Sequence, residues 1–163
     1  MSGRLYMIPY TGTVTNAGGN ADLLEVAPAA NKICRIRGIM LGQISEVADA
    51  AEEGLQLSFV RMTATVTGSN GTAVTPVPVR SAIANTAAGA AVEANGATVA
   101  TTSGTATVMG YLGWNIRNSP WDMFFPDERF CPEVANAEFI FLRQDTTAAD
   151  DYTGCFTFWL EED

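Results

Sequence analysis

The sequence predicts an all-β protein, a sandwich or barrel of antiparallel strands. Apolar and polar residues alternate with a period of two along several segments, most clearly in residues 55–66, where Leu55 and Leu57 oppose Gln56 and Ser58. Clusters of Gly, Asn and Pro separate these segments at short intervals, and helical periodicity is weak throughout. Together these observations indicate about eight short strands.

The first strand covers residues 5–8 and is expected to stop at Pro9, with residues 11–15 continuing it after a bend. Residues 16–20 form a turn rich in Gly and Asn, and residues 22–26 form the next strand. The short apolar strand at the start of the chain and the strong apolar strands at its end suggest that both termini pair inside the sheets.

Residues 32–44 predict a long strand. Strict alternation places Arg35 and Arg37 on one face together with Ile39, and Ile36 on the other face. The acidic connection 45–54 has room for one helical turn with Ser45 as its N-cap. Both faces of the strand are mixed, which is typical of a central position in a sheet.

Residues 81–104 are unusually rich in Ala, Thr, Gly and Asn. A helix at 87–94 fits the alanine content, but Gly89 and Gly96 weaken it, so irregular chain or short strands are favoured. The remaining predictions are strands at 105–117, 138–143 and 153–160, a short edge strand at 130–134 and an aromatic loop at 118–126.

The composition argues against catalysis. The chain of 163 residues suits one domain spanning 1–163, and it contains no histidine and a single lysine, Lys32. Because histidine is the usual general base and metal ligand near neutral pH, Ser-His-Asp triads and His-ligated centres are excluded. Adjacent acids such as Asp150 and Asp151 point to opposite faces of a strand and do not pair as a hydrolase requires. We expect a non-enzymatic protein with no cofactor and no metal.

The charge pattern bears on partners. The net charge of −9 and the absence of clustered Lys and Arg exclude nucleic-acid binding through phosphate contacts. Arg35 and Arg37 form the one close basic pair and are a candidate contact for an acidic partner. Charged residues make up only 17% of the chain, below the roughly 25% of average proteins, which favours self-association or a larger assembly.

Three aromatic residues, Trp121, Phe124 and Phe125, lie in the loop at 118–126. They fit three alternatives: a lid over the open end of the sandwich, an interface with a protein partner, or a platform on which a sugar stacks. The lid and the interface are both compatible with the residues, and the loop is the second candidate contact.

Secretion and membrane insertion are not expected. The N-terminus lacks a secretory signal, and no stretch approaches the ~20 apolar residues of a membrane span. Cys34, Cys131 and Cys155 are odd in number and are most simply reduced side chains of a protein made in a cytoplasm.

The chain resembles a family of small virion proteins of tailed bacteriophages, the head-decoration or capsid-cement proteins. The resemblance rests on residues 11–14 (TGTV), 22–29 (DLLEVAPA), 36–46 (IRGIMLGQISE), 49–57 (DAAEEGLQL) and 158–162 (FWLEE). It covers most of the chain without a diagnostic motif. It implies a jelly-roll-like sandwich of about eight to ten strands with long loops.

The resemblance also implies a function. Such a protein binds the lattice of the major capsid protein on the exterior of the virion, as a homotrimer, after synthesis in the host cytoplasm. A position in the phage tail or a fibre is an alternative. A carbohydrate-binding sandwich is another, for which Trp121 or Trp114 would supply the aromatic platform.

Overall fold

The computed structural model describes residues 3–15, 20–45, 53–67, 71–83, 87–117, 120–148 and 150–163. Within these ranges the chain forms fourteen strands and two 3-10 helices of three residues each, which confirms the predicted all-β class. The strands are β1 Arg4–Val14, β2 Ala21–Ala27, β3 Cys34–Gln43, β4 Gly54–Thr63, β5 Val66–Thr67, β6 Thr72–Ala73, β7 Val77–Pro78, β8 Ala91–Gly96, β9 Thr101–Thr102, β10 Ala106–Asn115, β11 Trp121–Phe124, β12 Glu133–Val134, β13 Glu138–Gln144 and β14 Tyr152–Glu162; the helices are Ser81–Ile83 and Glu128–Phe130.

The described strands form two antiparallel sheets of six and a two-stranded ribbon. Sheet A has the order β11-β3-β14-β1-β7, and β12 pairs with β3 as well. Sheet B has the order β10-β4-β13-β2-β8-β6, and β5 pairs with β9 outside both sheets.

The connectivity is that of a jelly roll. Four pairs are nested within one another along the chain: β1 with β14, β2 with β13, β3 with β11, and β4 with β10. The pairings of β14 with β3 and of β13 with β4 then roll this ribbon into two facing sheets. The segment between β4 and β10 is an excursion that adds β6 and β8 to sheet B and β7 to sheet A.

The core lies between the two sheets. Side chains such as Ile8 and Phe158 of sheet A and Leu24 and Leu142 of sheet B belong to one cluster and are at most 1% exposed. Their alternation with outward residues follows from the pleat of each strand. A second, smaller cluster on sheet B consists of Val60, Met62, Ala100 and Phe141, where the excursion packs on its outer face.

Strand β1 corrects the prediction of a stop at Pro9. The strand runs unbroken through the proline and pairs with β14 in one register from Arg4 to Val14. On its other side β1 pairs with β7 only at Tyr6 and Met7. Pro9 therefore lies beyond the two residues of β1 that β7 covers, where β1 is an edge strand, and edge strands tolerate proline.

Strand β3 corrects the predicted division of its faces. The register with β14 passes from Ile36 directly to Gly38, so Arg37 is the extra residue of a β-bulge. The bulge reverses the alternation, and both Ile36 and Ile39 are buried in the core. Arg35 and Arg37 consequently share the outer face without Ile39.

The aromatic loop predicted at 118–126 is in part a strand, because β11 pairs with the free edge of β3. Aromatic residues suit such a half-buried strand. The expectation of short strands within 81–104 is confirmed by β8 and β9, and the alternative of a helix at 87–94 is wrong, because residues 87–90 are irregular and the rest belongs to β8. The predicted helical turn at 45–54 and the turn at 16–20 fall largely on residues 46–52 and 16–19, which lie outside the described residues.

The buried thiol of Cys34 makes stability depend on alkaline pH. Burial and the nearby Glu162 carboxylate raise the pKa of Cys34 to about 12. The unfolded thiol ionises near its ordinary value of 9.0. Between these values the unfolded state binds fewer protons, so stability falls as the pH rises, by about 1.4 kcal/mol per pH unit for one group.

We therefore expect the free energy of unfolding, measured in urea, to decrease as the pH is raised from about 8 to about 10. Cys34→Ala should flatten this dependence. An unchanged slope in the variant would contradict the assignment of the pH dependence to Cys34.

Candidate functional site

The structure brings the predicted contact residues to one side of sheet A. Arg35 and Arg37 lie on β3, and β11 pairs antiparallel with β3 so that Trp121 is opposite Leu41 and Phe124 is opposite Gly38. The Phe125 amide donates to the Arg37 carbonyl at 2.9 Å. Strand pairing therefore places the two candidate contacts on adjacent strands, although about ninety residues of sequence separate them.

The two arginines are neutralised by acids of this chain. Arg35 Nε donates to the Glu133 carboxylate at 2.5 Å, and its guanidinium also pairs with Asp163. Glu161 lies between the arginines, 3.7 Å from Arg35 and 3.3 Å from Arg37. Burial opposes the charged form, but the carboxylates of Asp163 and Glu133 raise the pKa of Arg35 above its ordinary value. The basic pair thus belongs to a network that fixes the C-terminal strand.

The three aromatic residues have different surroundings. Phe124 is 53% exposed, and its ring lies 4.7 Å from that of Trp159. A Cβ atom at Gly38 would approach the Phe124 ring to 2.5 Å, so glycine makes room for this ring. Trp121 and Phe125 are half-buried and pack against the core. Phe124 therefore faces outward while the other two close one side of the sandwich.

A further surface, which the sequence analysis did not single out, lies on β10. This ten-residue strand contains no charged residue and no proline, and it is an edge of sheet B. Val108 and Met109 are 45% and 36% exposed, and the register shift between Val108 and Gly110 makes Met109 a bulge residue. A sequence signal exists: Val108, Met109 and Leu112 break the alternation that a half-buried strand requires.

An apolar pocket of about 260 Å³ lies where β10 approaches β11. It is lined by Phe59, Met109, Gly110, Leu112, Met123, Phe125, Phe130, Cys131 and Pro132. Phe130 at its rim is 68% exposed. We call Val108, Met109, Phe125 and Phe130, with the pocket, the apolar edge.

The apolar edge differs from the other sheet edges in the described part of the chain. Strands β6 and β7 have two residues each, and β7 contains Pro78. Strand β11 has four residues, and Pro126 follows it closely. Short edges and prolines prevent unwanted strand pairing, and β10 has neither safeguard apart from its bulge. An unprotected apolar edge of this length is typical of a surface that a partner covers.

Membrane-spanning helices and metal-binding clusters are both absent from the described residues. No helix among them has the length and hydrophobicity needed to cross a bilayer. Within the same residues, no three acidic or cysteine side chains gather as they would around a metal ion. Comparison with protein-family models, with curated proteins and with solved structures found no match for this chain.

Proposed function

We propose that this protein is a non-enzymatic virion structural protein. It decorates the exterior of a bacteriophage capsid and stabilises it by binding the lattice of the major capsid protein as a homotrimer. The observation that carries the proposal is the apolar edge, a long uncharged strand beside an apolar pocket with exposed aromatic and methionine side chains. The resemblance of the sequence to phage decoration proteins supplies the class of partner.

The chemistry of the apolar edge suits a protein partner. Aromatic and methionine side chains are enriched in the buried centres of interfaces, and charged side chains are depleted there. An extended segment of the partner that pairs with β10 gains main-chain hydrogen bonds, and the adjacent pocket receives one of its apolar side chains. On a repeating lattice many modest contacts of this kind add up through multivalency.

Binding to capsid particles that lack the protein tests the proposal. Phe130→Glu places a charge at the rim of the pocket, and we expect it to weaken binding by about tenfold or more, because an unpaired charge would have to be desolvated. Ile44→Glu is the matched control, since Ile44 is 65% exposed and lies outside the apolar edge. Equal binding of both variants and the parent would exclude the apolar edge as the docking surface.

The homotrimer has its own test. Light scattering of the purified protein should give about three times the mass of the 17.3 kDa chain. A monomer at high concentration would remove the trimer from the proposal while leaving the capsid contact to the binding experiment. Immunogold labelling of whole particles separates a head position from a tail or fibre position.

A further inference from the structure

A second depression lies on the β10–β4 pair, next to the apolar pocket, with which it shares Leu112. It is an open groove of about 860 Å³. Its lining consists of Gly54, Leu55, Gln56, Tyr111, Leu112, Gly113, Trp114, Asn115 and Thr146, none of which carries a charge. The side chains named for the proposed capsid contact, Val108, Met109, Phe125 and Phe130, do not line this groove.

The groove is open because two glycines form its floor. A Cβ atom added at Gly54 or Gly113 would meet nothing within 4 Å. The two are close together, since Gly54 pairs with Asn115 and Gly113 pairs with Gln56 in the ladder between β4 and β10. A flat ligand can thus approach the backbone of both strands.

An aromatic ring stands beside this floor. Tyr111 is 64% exposed and precedes Gly113 by two residues on β10, so both project to the same face. An exposed ring next to an open floor offers a stacking surface with an apolar face and a polar hydroxyl tip.

Uncharged hydrogen-bonding groups complete the groove. The Thr146 hydroxyl oxygen accepts from the Gln56 backbone amide at 2.8 Å, which leaves its hydrogen to donate. Asn115 accepts from the Arg117 amide through Oδ1 at 3.0 Å, which leaves its NH2 group as a donor.

The lining selects a class of ligand. An anionic ligand would find no basic residue in the groove and a protein of net charge −9 around it. A purely apolar ligand would bury the amide and hydroxyl groups without partners, which is unfavourable. A neutral carbohydrate satisfies both demands, because a sugar ring stacks its C–H face on an aromatic ring and its hydroxyls pair with amides. Because the groove is open, it suits a chain of several sugars better than a single sugar.

We propose that the groove of Tyr111, Gly113, Gln56 and Asn115 binds a neutral oligosaccharide. These four residues do not line the apolar pocket, although Leu112 is shared by the groove and the pocket, so side-chain variants can test the two activities separately. The aromatic platform of this carbohydrate site is Tyr111 and not Trp114, because Trp114 is buried and its ring has no face exposed to solvent.

The test uses defined hexasaccharides as probes: maltohexaose, cellohexaose, chitohexaose and an α-mannan hexasaccharide as neutral chains, and a heparin hexasaccharide as the anionic chain. Titration calorimetry and NMR chemical-shift mapping on the full chain should detect binding of at least one neutral probe. Tyr111→Ala should weaken that binding by about tenfold, as the loss of one stacking contact predicts.

Two further variants make the result decisive. Gly113→Val should fold, because a Cβ atom at this position meets no atom within 4 Å, yet the added side chain occupies the floor and should abolish binding. Phe124→Ala removes an exposed aromatic ring of the other sheet and should leave binding unchanged. Binding of no neutral probe, binding of the heparin probe alone, or full binding by Gly113→Val would each overturn the inference. Capsid binding by these variants is read separately, so failure of one proposal does not imply failure of the other.

Discussion

Replacing Asp22 with alanine is expected to lower the free energy of unfolding by about 3–5 kcal/mol. The Asp22 carboxylate is fully buried on β2. Its Oδ1 accepts from Arg143 Nε at 2.7 Å, and its Oδ2 accepts from the Ala100 amide at 2.6 Å. Arg143 also donates to the Ala100 carbonyl at 3.0 Å. Truncation would leave a largely buried guanidinium and a buried N–H without their acceptor, and the excursion between β4 and β10 would lose its anchor.

Urea unfolding measures this loss, and Asp127→Ala is the control. Asp127 also pairs with an arginine, Arg129, but that arginine is 79% exposed and the pair is solvated. Its Oδ1 also accepts from the Arg129 amide as the N-cap of the second 3-10 helix, so we expect a loss of only about 1 kcal/mol. The double variant Asp22→Leu with Arg143→Met should recover much of the stability, because it removes both charges together. Equal stability of Asp22→Ala and Asp127→Ala would show that the buried pair does not anchor the excursion.

The strands of this fold follow from local pattern. The alternation of apolar and polar residues was enough to predict β4 and β14. Leu55 and Leu57 of β4 and Phe156 and Phe158 of β14 are buried in the core. Each of these strands has one face on the core, so apolar and polar residues alternate along its sequence. The end of β10 at Asn115 and the start of β13 at Glu138 were likewise close to the predicted limits.

Features that depend on distant partners did not follow from local pattern. The bulge at Arg37 exists because β3 must follow the register of β14, which is more than a hundred residues away. The continuation of β1 through Pro9 depends on how little of β1 is covered by β7. In the sequence, Asp22 is an ordinary acid at the end of a strand. Its role follows only from the structure, which places Arg143 and the Ala100 amide beside it.

The candidate contact, too, was predictable from the sequence only in part. The sequence picked out Phe124 and Arg35, and strand pairing does bring their strands together. The acids that neutralise Arg35 include Asp163 at the end of the chain, and no local pattern predicts that meeting. Strand β10 was recognised from its residues, but its position at an edge, and with it the exposure of Met109, follows from topology alone.

Trp114 is expected to be the most sensitive single position of the core. It is 1% exposed, and its ring lies edge-on to Tyr152 and Phe156, with centroid distances of 5.9 Å and 6.2 Å. Trp114→Ala would leave a cavity too large for neighbouring strands to close, and such truncations cost about 3–5 kcal/mol. Urea unfolding followed by far-ultraviolet circular dichroism measures the loss without relying on the fluorescence of the removed residue.

Trp114→Phe separates packing from hydrogen bonding. Because the indole N–H has no partner within the protein, replacing it with a phenyl ring removes volume and no hydrogen bond. We therefore expect a loss well below that of Trp114→Ala. Trp121→Ala is the control for size, since Trp121 is only half-buried at the side of the sandwich. If Trp114→Ala lowers the free energy of unfolding no more than Trp121→Ala does, the prediction is wrong. The core around Tyr152 would then have closed over the missing ring, which tightly paired central strands are expected to resist.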